Sequence, residues 1–464
     1  MLRKDIRGQS PHPGVRGHRG GRWPRGSTPG RGAYLRRQST TVRLGCAAKC
    51  AHHVPRVDGG SQVQVRQGSR NMDADGMGTD GTGVDSGQLA LKMDRAEFAD
   101  VVAWTARTLP RTGTVTSGIV VDATDGTVSL SSTDLEVSGE AVAENAVIEA
   151  AGRVMVSGRL LSDIARSLPD APVRILADAS RATISCGRAR FSIPVLPESD
   201  HPHLPSQPRA LGRARGDLFA AAVAQTYVAT ARNDSYNYMN GIKLELGADQ
   251  LTFAATDRYR LAVREIGWTS ESFSDEVPEV IVPGRSLSDV AKALAGDPLV
   301  QVGLDGGGGI EHRLLGLQGE NRSFTTRLID GKFPAFRSLF PPQFESTVRI
   351  DVAELSDAIK RVSLLAKSAR NMAVQLTIAE GEVTLSVGGP EEGAEESVEG
   401  QLLGSANAIA FNPQFLLDGL HSLGRSQVVI SFNQPSTPVV LSGADPDGEP
   451  DSEYRYLLMP IRIS

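Results

Sequence analysis

Cysteine is nearly absent: three in 464 residues, an odd and sparse set that implies no disulfide framework and fits a reducing cytoplasm. No apolar run approaches the roughly 18–20 residues that cross a bilayer, which excludes a helical membrane span. The chain has no GxxxxGK[ST] loop, no HExxH and no GxSxG elbow, so nucleotide hydrolysis, zinc proteolysis and serine hydrolysis have no visible machinery. Beyond residue 88 the only histidines are His201, His203, His312 and His421, and the first two fall in PESDHPHLP, which reads as a solvated interdomain loop. Glu391, Glu392, Glu395 and Glu396 read as a solvated acidic loop rather than a carboxylate pair. Cys186, in ATISCGRARFSI, reads as a buried strand residue. The expectation is a protein that performs no chemistry and needs no cofactor or metal.

Large apolar residues are also scarce in residues 1–88, which are rich in Gly, Arg and Pro and show no periodicity. That segment holds 13 Arg and 2 Lys against 6 Asp, a net of +9, while the remaining 376 residues carry a net of −14. It cannot bury enough apolar surface to offset its ordering entropy, and is expected to be disordered. A start assigned too far upstream accounts for it more simply than nucleic-acid contact does. Its Arg content leaves a transit peptide open, although the Gly and Pro density argues against one. Gly76–Gly81 matches GxGxxG without the flanking strand and helix. Cys46 and Cys50 with His52 and His53 lack a second ligand pair at finger spacing, and Asp73, Asp75 and Asp80 miss the calcium-loop pattern.

What is present is a repeat. VMVSGRLLSDIARSL at 154–168 returns as VIVPGRSLSDVAKAL at 280–294, sharing nine of fifteen letters, and again as IAFNPQFLLDGLHSL at 409–423. Offsets of 126 and 129 residues are too long for a solenoid repeat of roughly 20–50, so whole domains are copied. Gly158 and Gly284 stand just before the helix of this segment. An amphipathic helix opens each unit, over Arg95–Thr108, Asp217–Thr230 and Val352–Lys367; Leu355, Ile359, Val362 and Ala366 form one stripe of the third. Hairpin-like runs follow: GIVVDATDGTVSLSSTDLEVSGEAV, GIKLELGADQLTFAATDRYRLAVREI and AVQLTIAEGEVTLSVGG. The class is α+β: an extension over 1–88, then domains at 89–207, 208–343 and 344–464, each with two helices packed on antiparallel sheets.

The body is acidic, yet its expected helices are basic: Arg95 and Arg107, Arg159 and Arg166, Arg285 and Lys292, then Lys360, Arg361 and Lys367. Segregated charge of this kind suits sequence-independent contact with DNA phosphates, although exposed helix faces carry Lys and Arg in many proteins.

The triple repeat, with ATDRYRLAVRE, TTRLIDGKFPAFRSLFP and the terminal YLLMPIRIS, resembles the bacterial DNA polymerase III beta subunit, the sliding-clamp family, from about Leu89 to Ser464. Support comes from GRLLSDIARSLPDAPV, CGRARFSIPVLP and IAFNPQFLLDGLHSL, a set most similar to high-G+C Gram-positive members. The resemblance implies a head-to-tail homodimer, a ring of six clamp-fold domains around duplex DNA. Arg111, Arg159, Arg166, Arg285, Lys292, Lys360, Arg361 and Lys367 would face the duplex. It implies a non-catalytic processivity factor in the cytoplasm, at the nucleoid. Its partners would be the replicative polymerase alpha subunit, the clamp loader and repair proteins carrying a clamp-binding motif. The partner pocket maps to Met239, Thr256, Arg258, Tyr259, Arg260, Leu261, Pro334, Ser338, Leu339, Pro438, Met459, Pro460, Ile461 and Arg462. In it Leu261, Leu339, Met459 and Ile461 would form an apolar slot and Arg260 and Arg462 its polar rim. The long extension, Ser338, the extra Ser464 and a missing proline run near Thr114–Gly118 depart from the family's pattern. An accessory clamp for repair or inhibitor resistance, and a scaffold that never closes a ring, are the alternatives.

Overall fold

A computed structural model describes residues 89–110, 117–232, 237–271, 278–305, 313–366, 373–389 and 392–462. The first unit runs β1 (Leu89–Met93), α1 (Arg95–Thr105), β2 (Gly118–Asp122), β3 (Val128–Thr133), β4 (Val137–Ala143), β5 (Val147–Ala150), β6 (Arg153–Ser157), α2 (Gly158–Ser167), β7 (Val173–Ala177), β8 (Arg181–Cys186) and β9 (Ala189–Leu196). The second repeats that order as β10 (Ala210–Ala214), α3 (Gly216–Tyr227), β11 (Gly241–Leu246), β12 (Gln250–Thr256), β13 (Arg260–Gly267), β14 (Thr269–Ser270), β15 (Glu279–Pro283), α4 (Gly284–Ala293), β16 (Val300–Leu304), β17 (Leu314–Gln318) and β18 (Arg322–Arg327). The third is β19 (Ser346–Asp351), α5 (Val352–Ala366), β20 (Val374–Ala379), β21 (Gly381–Gly388), β22 (Gly393–Leu403), β23 (Asn407–Phe411), α6 (Pro413–Leu423), β24 (Gln427–Phe432), β25 (Val439–Ala444) and β26 (Tyr454–Leu458). The long β22 does the work of two strands, pairing with β21 and then with β19.

Local chemistry explains these boundaries. Asp94 accepts from the Ala96 N–H at 2.7 Å, and Asn412 from those of Gln414 and Phe415, satisfying donors that the first helical turn leaves open. Pro413 sits where its missing N–H costs nothing, and Gly424 closes α6 in the left-handed region at φ 62°. Gly158 and Gly284 prove to be the first helical residues rather than the ones before. A Cβ at 158 would come within 2.6 Å of the Leu109 side chain, and one at 284 within 2.9 Å of the Asn240 carbonyl, so the shared glycine reports a close approach. The β3–β4 and β12–β13 turns are copies as well. Asp134 accepts from the N–H groups of Glu136 and Val137, and Asp257 from those of Tyr259 and Arg260. Leu135 and Arg258 occupy the left-handed position of these turns, at φ 80° and 79°.

Fourteen strands form one sheet and twelve the other, and each sheet crosses a unit boundary. The rule at the two crossings is the same. The third strand of a unit's opening meander pairs antiparallel with the last strand of the next unit: β4 with β18, β13 with β26. The register is conserved too, because Gly139 faces Phe324 where Ala262 faces Tyr456. Two strands of these types remain unjoined among the described residues, β22 along Gly393–Gly400 and β9 along Ala189–Pro194. Glu395 and Glu396 therefore lie on an edge strand and not in the expected loop, while Glu391 lies outside the described residues.

The helices cover one face of the sheets and bury Phe98, Phe219 and Leu355 at matching positions. Cys186 is buried in β8, as its sequence context suggests. On the opposite face of the twelve-stranded sheet a second apolar cluster gathers Leu261, Val263, Val440 and Leu457 under Phe333 and Phe336 of the segment joining units two and three. The metal-like and GxGxxG patterns of residues 46–81 lie outside the described residues.

Candidate functional sites

The helix face carries the expected cations, all exposed where described: Arg159 and Arg166 on α2, Arg285 and Lys292 on α4, Lys360 and Arg361 on α5. Arg111 and Lys367 lie outside the described residues. Arg166 pairs with Asp163 and Lys360 with Asp357, so part of this charge is met within its own helix. Arg285 and Lys292 form no ion pair among the described residues.

Arg361 is differently placed. It is the tenth residue of α5, as Trp104 is of α1 and Gln225 of α3. Those two reach across a unit boundary, for Trp104 donates to the Ser323 carbonyl at 3.2 Å and Gln225 to the Ser422 carbonyl at 3.1 Å. Arg361 instead forks onto Glu396 of β22, beside the unjoined edge, and Glu396 is held below the ordinary carboxylate range by that bond. It meets the sheet edge through this pair while its own side chain stays exposed. Helical periodicity put it on an exposed face without saying what that face meets.

The boundary between units two and three gathers the other candidate set. Met459 donates its N–H to the Tyr259 carbonyl at 2.8 Å, Leu261 pairs with Leu457, and Pro438 precedes Val439, which pairs with Leu458. Phe336, in a 3-10 turn over Phe336–Leu339, carries Ser338 and Leu339 to the same region, with Pro334 just before it. Met239 is buried, and its carbonyl accepts from the Ala231 N–H. Thr256 braces the turn by donating to the Arg260 carbonyl at 2.7 Å. Arg258, Tyr259, Ser338, Leu339, Met459 and Arg462 are exposed, and Pro334, Pro438, Pro460 and Ile461 are half-buried.

Two expectations change. Leu261 does not line an open slot; it is 1% exposed and belongs to the floor, packed in the cluster with Phe333, Phe336 and Leu457. Arg260 is mostly buried as well, at 4% exposed, and is held through Nε and Nη1 although it still borders the cavity at this boundary. Its guanidinium bonds Asp257 at 3.0 Å, Asp418 at 2.6 Å and the Tyr456 hydroxyl at 3.3 Å, and lies 4.3 Å from the Phe415 ring centroid. Burial alone would lower its pKa, and Tyr456, Asp418 and Asp257 together raise it instead. Arg260 is a bolt between units, because breaking a buried charged set leaves uncompensated charge.

A cavity of about 340 Å³ opens beside this bolt, between the β12–β13 turn and α6, with Arg232, Arg258, Tyr259, Gln414, Phe415 and Asp418 around it. Tyr259 stacks on Phe415 there at 6.3 Å. Gln414, Phe415 and Asp418 were missed in the sequence. Their only signal was spacing on one helix face within the third copy of the repeat. An adjoining cavity of about 560 Å³ continues to Arg285, which joins the basic helix face to the same boundary. His201 and His203 stand elsewhere, in the segment joining units one and two; His201 is half-buried, and burial lowers its pKa.

The family descriptions DNA polymerase III beta subunit, N-terminal domain, central domain and C-terminal domain match residues 89–205, 214–335 and 337–462. The beta sliding clamp of Streptomyces coelicolor is 42% identical over 380 residues, 81% of this chain and 100% of that protein. The beta sliding clamp homolog GriR of Streptomyces muensis is 37% identical over 379 residues, 81% of this chain and 100% of that one. Among solved structures, the sliding clamp of Pseudomonas aeruginosa bound to griselimycin superposes with a TM-score of 0.72 at 27% identity, covering 81% of this chain and 100% of that one.

Proposed function

The chain belongs to the DNA polymerase III beta-subunit family, and from that premise we propose that two copies close head to tail into a ring that holds the replicative polymerase on its template. It is a sliding clamp of DNA replication, a processivity factor without catalytic activity. One observation carries the closed ring, namely the boundary rule that leaves β22 and β9 unjoined. Extended to a second copy, the rule pairs the β22 edge of one chain with the β9 edge of the other, and two such pairings complete a circle of six domains. The conserved register sets Ala394 opposite Phe191 and Glu395 opposite Arg190 of the partner subunit. Phe191 is half-buried in the single chain, whereas its counterparts Phe324 and Tyr456, which have their neighbours, are 2% and 0% exposed. A partner strand would cover the remainder.

The helices then line the hole, with Arg159, Arg166, Arg285, Lys292 and Lys360 offered to phosphates. Contact of that kind is sequence-independent, so retention is topological. The polymerase alpha subunit, the loader and repair proteins dock a short segment at the boundary of the domains we set at 208–343 and 344–464, over Leu339, Met459 and Tyr259. None of the described helices is long and apolar enough to cross a membrane, and we place the ring with the nucleoid in the cytoplasm. A loading assay on nicked circular DNA tests the reading. The ring stays on the closed circle through a salt wash and leaves when the circle is cut; release by moderate salt alone refutes encirclement.

A further inference from the structure

Two charged side chains are buried on the outer face of β11, where charge has no evident reason to be. Lys243 and Glu245 are alternate residues of one strand, each 7% exposed. Residues of these types are rarely so buried without partners, and here the partners are specific. The Lys243 ammonium lies 2.8 Å from Glu245 and 2.9 Å from Glu279 of β15. It also faces the rings of Phe333 and Phe336, at 5.9 and 5.4 Å from their centroids. Glu245 receives a fork from Arg337, 3.0 Å to one oxygen and 2.6 Å to the other, and the same guanidinium lies 4.7 Å from the Phe336 ring. Three linker residues, Phe333, Phe336 and Arg337, are thus fixed to one pair on one strand.

The fold does not demand this pair. Strand registers put Val120 of β2 and Gln375 of β20 at the position of Lys243, and Val120 is 1% exposed in its own unit. A buried ion pair adds little over a well-packed apolar one, so what it contributes here is orientation. What it orients is the Phe336–Leu339 turn, closed by the Ser338 hydroxyl donating to the Ala335 carbonyl at 2.8 Å. Phe336 points into the cluster, while Ser338 and Leu339 remain exposed beside Pro334.

We propose that Lys243 and Glu245 are positioning residues for partner docking: through Arg337 and two phenylalanine rings they fix the turn that presents Ser338 and Leu339 to a bound segment. The inference rests on the partner pocket proposed above and adds residues that lie behind its wall. A side chain that holds a wall sets affinity by keeping the site preorganised, without touching the ligand.

Calorimetry on the full chain tests it, with a synthetic peptide copied from the clamp-binding segment of the host's replicative polymerase. Lys243→Val, which borrows the residue of the sister unit, weakens peptide binding by about tenfold with the dimer mass unchanged; losing the cation beside Glu245 and Glu279 also lowers the melting midpoint, so affinity is read well below it, where the chain is fully folded. Lys243→Arg restores most of the affinity. Arg337→Gln, at an exposed residue whose loss cannot collapse the core, weakens binding in the same sense. Hydrogen exchange at the Ser338 and Phe340 amides, which donate to Ala335 and Arg337 carbonyls, speeds up in Lys243→Val and Arg337→Gln. A chain ending at Leu458 reports on the pocket separately. If it loses the peptide while Lys243→Val and Arg337→Gln bind as the native chain does, the positioning role is overturned and the pocket stands. If it keeps the peptide, the pocket is overturned, and unchanged exchange at Ser338 then removes the clasp as well.

Discussion

Reversing Arg190 should open the ring. In the proposed seam Arg190 faces Glu395 of the partner subunit across an antiparallel pair, with both side chains exposed in the single chain. Directly opposed charges on adjacent strands contribute roughly 0.2–1 kcal/mol when opposite and cost a similar amount when alike. Arg190→Glu therefore loses the attraction and adds a repulsion with Glu395, about 0.4–2 kcal/mol per seam. The ring has two equivalent seams, so the dimer loses about 0.8–4 kcal/mol, a dissociation constant raised by a factor of roughly 4 to 700. Sedimentation at falling concentration reads this directly as monomer mass appearing at concentrations where the native chain is a dimer. Raising salt should narrow the difference, because the pair is screened at the surface. Glu395→Arg alone should behave like Arg190→Glu, and the two together should recover most of the dimer. A charge-reversed chain that dimerises like the native one, or a double variant no better than either single one, refutes the register and with it the extension of the boundary rule to a second copy.

Three further outcomes follow from the same geometry. Arg260→Ala should destabilise the chain by about 3–5 kcal/mol, read as a fall in denaturant midpoint, because Asp257 and Asp418 are left facing each other without their cation. Neutralising Arg111, Arg159 and Arg285 together should slow loading onto DNA of any sequence and flatten its salt dependence, measured as retention on circles across a salt series. A chain beginning at Met77 should melt and dimerise like the full one. One beginning at Met93 should lose several degrees, since β1 pairs along its whole length with β7 and also holds β5.

The repeat made much of the fold legible. Fifteen similar letters recurring at a domain's spacing give the strand–helix junctions of β6–α2, β15–α4 and β23–α6, because close backbone approach at Gly158 and Gly284 and the cap at Asn412 are local demands. The opening helices were legible for the same reason. Phe98, Phe219 and Leu355 recur at one helical phase, and a buried stripe leaves that period in the letters. The site was read less well. Arg260 and Leu261 carry the letters of a binding motif, yet one bolts two units and the other floors the second cluster. A motif names residues that stay together without saying which of them face solvent. Gln414, Phe415 and Asp418 had no motif of their own, since their role depends on α6 meeting a turn some 155 residues earlier.

The sequence by itself determined the number of units, the order of elements within them, and the separation of a basic extension from an acidic body, for these rest on composition and on periods within a few residues. Only the tertiary structure decided which strands join unit to unit, which two are left over, and where the buried charges sit. Lys243 reads in sequence as an ordinary cation of an alternating strand. It becomes a clasp because β15 brings Glu279 beside it and the linker returns Phe333, Phe336 and Arg337 over it. Arg361 reads as one more basic helix residue, and the edge strand three elements later turns it to Glu396. The physical reason is common to both. A charge is satisfied by whatever the fold brings within about 3–4 Å of it, and across such distances in sequence only packing sets what that is.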